Sequence, residues 1–136
     1  MQKNISLFRS SALPAVDYAY ASTVPPGMKL LFMAGACPLD SSGNVPLGAG
    51  YEAQATLCVA NLKTALRELG ASLRDVAYTR VLVASTSRKD LVTAWDTIRK
   101  EFSDHDVPST LSGVTVLGYD NQLVEIEAVA AIADNL

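Results

Sequence analysis

Residues 107–131, VPSTLSGVTVLGYDNQLVEIEAVAA, constrain the fold of this chain more than any other stretch. Val114, Thr115 and Val116 mark a strand over residues 111–117, and Gly118-Tyr119-Asp120-Asn121 supplies turn chemistry. A longer alternating run covers residues 122–132, so the spacing predicts two strands joined by a turn. Side chains alternate along a strand, which puts Val124, Ile126, Ala128, Ala130 and Ile132 on one face and Leu123, Glu125, Glu127, Val129 and Ala131 on the other. Two carboxylates therefore interrupt an otherwise apolar face, about 7 Å apart at the strand rise. Such a pair belongs either to a solvated edge or to a site.

Two amphipathic helices precede this stretch. Over residues 51–69, Ala55, Cys58, Val59, Leu62, Ala65, Leu66 and Leu69 recur every three or four positions, and Gly70 suits the position just past the helix end. Over residues 87–102 the stripe is Leu91, Ala94, Trp95, Ile98 and Phe102, with Ser87 and Asp90 resembling a capping box. Trp95 reads as a core anchor and Cys58 as core packing. Between the helices, residues 76–84 read as a strand with Tyr78 and Arg80 on one face and Thr79, Val81 and Val83 on the other. Residues 29–34, KLLFMA, are apolar on both faces, as expected of a central strand, and break at Gly35-Ala36-Cys37-Pro38. Residues 18–22 form a short β-prone piece, and residues 1–16 an arm or short edge strand.

The order is β-β-loop-α-β-α-β-β in one α+β domain over residues 1–136, a mixed sheet with two helices on one face. Two helices cover only one face of a sheet, yet several strands are apolar on both. The uncovered face must be buried by something, and a second copy of the chain is the simplest partner, so a homo-oligomer is expected.

Composition narrows the chemistry. A net charge of −3 without a Lys/Arg cluster gives no attraction to phosphate backbones, so no nucleic acid is expected as partner. No window has the apolar length of a membrane span or a secretory signal, which makes a cytoplasmic protein the expectation. Cys37 and Cys58 lack metal-ligand spacing and read as free thiols. Cys37, without a base or positive field nearby in sequence, reads as a small apolar wall residue rather than a nucleophile. His105, the sole histidine, lies between Asp104 and Asp106 and reads as a solvated loop residue that helps end the second helix. Glu125 and Glu127 remain. One of them could act on a water or a proton if desolvated, or they could form a structural pair with a base such as Arg80. The residues alone leave both readings open.

Three segments, FMAGACPLD (residues 32–40), EAQATLCVANLKTALRELGASLRDVAYTRVLV (52–83) and LVEIEAVAAI (123–132), are similar to the YjgF/RidA family, also called the endoribonuclease L-PSP family. The first matches that family's V-S-G-Q-I-P-L-D segment, and the resemblance runs from about residue 18 to residue 132. It implies a chorismate-mutase-like fold and a homotrimer whose sheets pack into a central barrel, with small-molecule clefts between subunits. It also implies hydrolysis of enamine or imine intermediates without metal or cofactor. Carried over position by position, the water-positioning glutamate falls on Glu125 and the N-terminal tyrosine on Tyr18, with Tyr20 one alternation away. The serine position is Ala34, and the carboxylate-gripping arginine falls on Ser109, so both of those groups are absent. A Ser hydroxyl cannot replace a bidentate guanidinium, a loss on the order of 2–4 kcal/mol in binding or transition-state stabilisation.

The resulting expectation is a RidA-like hydrolase or deaminase acting on an imine- or enamine-like metabolite that is not a standard 2-imino acid. Glu125 would be catalytic, and Tyr18, Ala34, Gly35, Ala36, Cys37, Ser109 and Thr110 would contact the ligand. The alternative is a non-catalytic ligand-binding or regulatory trimer. Endoribonuclease activity follows only from one family name, and the acidic charge balance argues against it.

Overall fold

The structure, a computed structural model, describes residues 5–134. Its elements are β1 (Ser6–Phe8), β2 (Ala21–Thr23), β3 (Lys29–Ala36), α1 (Tyr51–Glu68), a 3-10 turn (Leu73–Asp75), β4 (Val76–Ala84), α2 (Arg88–Phe102), β5 (Ser109–Val114) and β6 (Val124–Ile132). β1 and β2 pair as a small antiparallel hairpin, and the main sheet runs in the order β3-β6-β4-β5. β5 lies parallel to β4, with α2 as the crossover, and the other pairings are antiparallel. This is the expected α+β arrangement of two helices on a mixed sheet.

The core lies between the helices and one sheet face. Ala55, Cys58, Val59, Leu62 and Leu66 of α1 and Ala94, Ile98 and Phe102 of α2 pack on Val81, Val83, Val124, Ile126, Ala128 and Ala130. α1 ends as its glycine predicted: Gly70 takes φ +80°, and the amides of Gly70 and Ala71 bond the carbonyls of Arg67 and Leu66. Leu69 at that end faces solvent instead of continuing the stripe.

Four local expectations are corrected. β5 and β6 are not adjacent, because β4 lies between them; the buried alternation of β6 suits a central strand, while β5 takes the edge. β5 also stops at Val114, opposite the last residue of β4, Ala84, which leaves residues 115–117 without a partner strand and Val116 76% exposed. β3 is the other edge, not a central strand: Leu31 is buried, but Leu30 and Phe32 are 47% and 77% exposed on the face away from the helices. At the start of α2, Ser87 makes no side-chain cap; Ser85 Oγ instead accepts from the Ser87 amide and donates to Asp90 at 2.7 Å.

The N-terminal hairpin shields part of the open sheet face. Ile5 packs with Ala77 and Ala131, supported by Leu7, Val24 and Met28. Among the described residues no helix is long and apolar enough to cross a membrane.

Candidate functional site

Glu125 stands on the open face near the start of β6, opposite Leu82 of β4. β3 reaches it from the other side. A β-bulge between Met33 and Ala36 turns the strand, and Gly35 lets the backbone lie against the Glu125 carboxyl, 2.6 Å from where an alanine Cβ would stand. Past the strand end, the Cys37 thiol donates to Glu125 Oε1 at 3.1 Å. Gln122, in the loop before β6, donates to the same oxygen at 3.2 Å. Among the described residues no donor reaches Oε2. The carboxylate is thus held by one oxygen, while the other is left for water or a ligand.

Three buried or half-buried amides build this corner. Gln122 is buried, accepts from the Tyr119 amide and gives its second N–H to Val124 O, so its orientation is determined by three partners. Gln54, 1% exposed on α1, donates to Ala49 O and Asn121 O and accepts from Leu123 N, which ties the loop before β6 to the helix start. Asn61 donates to Cys37 O and Leu39 O and holds the loop that carries Cys37. None of the three was anticipated. The signal was present for two of them: Gln54 and Asn61 fall four before and three after Cys58, on or beside the apolar stripe, where a polar residue needs a buried partner.

Burial raises the Cys37 thiol above its ordinary value, to about 11, assisted by its hydrogen bond to Glu125 and the charge there; Gln122 opposes this slightly. Cys37 is therefore a neutral donor near neutral pH, not a thiolate nucleophile. It is also more than an apolar wall. Cys58 is buried in the core, and burial pushes its thiol up as well. Both cysteines are free.

The remaining site candidates lie elsewhere on the protomer. Tyr18 meets Trp95 edge-on, with ring centroids 6.1 Å apart, and together with Asp17, Ser109, Thr110 and Leu111 they line an open concavity. Trp95 is half-buried and donates to Asp17 Oδ2, so it serves as a wall of that concavity as well as packing on the core. Tyr20 commits its hydroxyl to Pro14 O. Ser109 pairs with Thr79, and Thr79 with Ala128, three residues along β6 from Glu125. That is about 10 Å along the strand and about 10 Å across two strand spacings. Ala34, Gly35, Ala36 and Cys37 gather near Glu125, whereas Tyr18, Ser109 and Thr110 do not.

Sidedness separates the last two residues. Ser109 Oγ accepts from Thr79, which is buried beneath the helices, whereas Thr110 accepts from the Tyr78 hydroxyl at 3.0 Å on the open face. The position at this end of β5 that looks toward the open side is Thr110.

Arg80 lies opposite Glu127, not Glu125, and among the described residues no ion pair joins it to either glutamate. His105 is the opposite of a solvated loop residue. It is 6% exposed, stacks on Phe102, and its Nε2 donates to Val76 O at 2.8 Å, a structural bond between the end of α2 and β4. Among the described residues no three His, Cys, Asp or Glu side chains gather in a way that could hold a metal ion.

Comparison with known proteins agrees with this architecture. The chain is 26% identical to YyfB, a conserved Rid-family protein from Yersinia pestis, over 95% of this chain and 99% of that one, with a TM-score of 0.86. It is 26% identical to a putative endoribonuclease from Thermotoga maritima, over 98% of this chain and 100% of that one, TM-score 0.68. It is 27% identical to a YjgF/YER057c/UK114 family member from Mycobacterium tuberculosis, over 94% and 99% of the two chains, TM-score 0.64. None of the curated proteins matches the chain in sequence. The Endoribonuclease L-PSP profile matches residues 10–132, nearly the whole length over which the sheet, the helices and the Glu125 corner are built. The chain belongs to the endoribonuclease L-PSP family, the YjgF/Rid proteins.

Proposed function

We propose that this chain is a Rid-type hydrolase that deaminates imine- or enamine-like metabolites in a cleft between the subunits of a homotrimer. The observation that carries this reading is the half-held carboxylate, with Oε1 of Glu125 occupied by Cys37 and Gln122 and Oε2 left open. An ionised carboxylate in that state can accept a proton from water while the water oxygen bonds the iminium carbon, giving a carbinolamine. Return of the proton to nitrogen frees the carboxylate to take the hydroxyl proton as the C–N bond breaks, which releases a carbonyl product and ammonia. No redox partner is needed.

Two features support a site completed by a neighbouring copy. The open face exposes Leu30 and Phe32, and the Tyr18–Ser109–Thr110 group lies too far from Glu125 in one chain to share a small ligand with it. The positions resembling the family's serine and arginine carry Ala34 and Ser109, and the open-face neighbour is Thr110, so neither of these β5 positions supplies a guanidinium to grip a carboxylate. The substrate class that fits is an imine without an obligatory carboxylate.

The test generates imines in situ, neutral ones with an amine oxidase and 2-imino acids with an amino-acid oxidase, and follows ammonia release with wild-type chain and Glu125→Gln. Light scattering on the same samples should give a trimer mass. The expected result is faster decay of the neutral imines, lost at least about a hundredfold in Glu125→Gln. Equal rates in the two proteins would sink the mechanism. The same uncharged ligand positions favour a second reading, a ligand-binding trimer without chemistry, and a small molecule retained through purification without turnover would decide for it.

A further inference from the structure

Two donors on a single carboxylate oxygen are an asymmetric arrangement, and the asymmetry is built from independent pieces of the chain. Gln122 cannot hold Oε1 alone with both protons, because its second N–H is committed to Val124 O. Gly35 brings the β3 backbone against the Oε2 side and admits no side chain there. The remaining donor is Cys37. Its thiol has two acceptors in reach, Gly35 O at 3.4 Å and Glu125 Oε1 at 3.1 Å, and the nearer one carries the charge.

We propose that Cys37 is a positioning residue for Glu125: its neutral thiol, with Gln122, pins Oε1 and presents Oε2 to the open face as the oxygen that takes the proton from water. The role in turnover rests on the hydrolase reading above; the contact itself does not. The raised thiol value keeps the S–H proton in place across the neutral range, which is what a donor to a carboxylate requires. A thiolate at that position would repel Glu125 instead.

The first readout needs no turnover. Alkylation of Cys37 by iodoacetamide at mildly alkaline pH, located by peptide mass, reports its thiolate fraction, and fully buried Cys58 stays silent. Removing the carboxylate charge in Glu125→Gln should speed alkylation at least about fivefold. The second readout is kinetic. Cys37→Ala should lower kcat about tenfold with KM nearly unchanged, and Cys37→Ser, which restores a donor, should recover most of it. An alkylation rate indifferent to Glu125→Gln overturns the contact, and a Cys37→Ala variant with wild-type kcat overturns the positioning role. If the wild-type chain does not turn over imines, the hydrolase reading falls and the alkylation result alone decides whether Cys37 holds Glu125.

Discussion

Gly35→Ala should lower the proposed hydrolysis while leaving stability nearly unchanged, because Gly35 lies against the Glu125 carboxyl. An alanine Cβ at position 35 would stand 2.6 Å from both Cδ and Oε2 of Glu125 and 3.0 Å from Cγ. Carbon contacts become comfortable near about 3.5 Å, so the carboxyl must retreat by about 1 Å. Gly35 is not among the glycines with positive φ, so alanine fits the strand backbone and recovers about 0.5–1 kcal/mol of chain entropy. Against this, the retreat weakens the bonds from Cys37 and Gln122, at a cost of about 1–2 kcal/mol once replacement by water at a half-exposed site is allowed for. The two effects largely offset, and the urea midpoint should fall by no more than the equivalent of about 1.5 kcal/mol. Activity should not be spared, because about 1 Å of misplacement of a reacting group costs on the order of a hundredfold in rate. The assay is imine hydrolysis beside urea unfolding on the same preparations, with the Cys37 alkylation rate as a turnover-free check. A Gly35→Ala protein with unchanged hydrolysis and unchanged alkylation would show that Glu125 is not seated against Gly35, and the reasoning would fail.

Three further outcomes follow from the same geometry. Gln54→Ala should destabilise the chain by about 3 kcal/mol in urea unfolding, because it strands Ala49 O, Asn121 O and Leu123 N; a loss below about 1 kcal/mol would mean water satisfies them. Thr110→Arg places a guanidinium on the open face and should raise hydrolysis of 2-imino acids, whereas Ser109→Arg removes the acceptor of the Thr79 hydroxyl and should cost about 1–2 kcal/mol in urea unfolding; the reverse ranking would contradict the assigned sides of β5. The native chain keeps the Cys37 proton that the unfolded chain releases, so this contribution to stability is complete below a thiol's ordinary value of 9.0 and is lost as pH rises to about 11. Cys37→Ser should therefore show a flatter decline of urea midpoint across that window, with Cys58 common to both proteins; parallel declines would argue against the raised value.

Periodicity made the elements legible. The two helices, β4 and β6 with its buried Val124, Ile126, Ala128 and Ala130 all lie where the apolar spacing puts them, because each element must bury one face. Glu125 and Glu127 stood out for the same reason, as charges on a face otherwise apolar. What the local pattern could not carry was pairing. A turn-like GYDN sequence suggests a hairpin, yet the parallel crossover through α2 sets β5 beside β4 and leaves β6 to fill the centre. That choice is made by which strands jointly bury the helix faces, a property of the whole sheet.

Spacing along the chain is enough to mark the two helices, β4, β6, the open apolar face and the glutamate on it. Tertiary structure alone decided what surrounds that glutamate. Cys37 lies 88 positions from Glu125, and Gln54 lies 69 from Leu123 and 67 from Asn121. Hydrogen bonds of this kind are made by short polar side chains with no periodicity of their own, and they exist only once the β3 bulge and the turn before β6 have brought the backbones together. His105 followed the same rule: exposed by sequence neighbourhood, it is buried because Phe102 and Val76 O close over it.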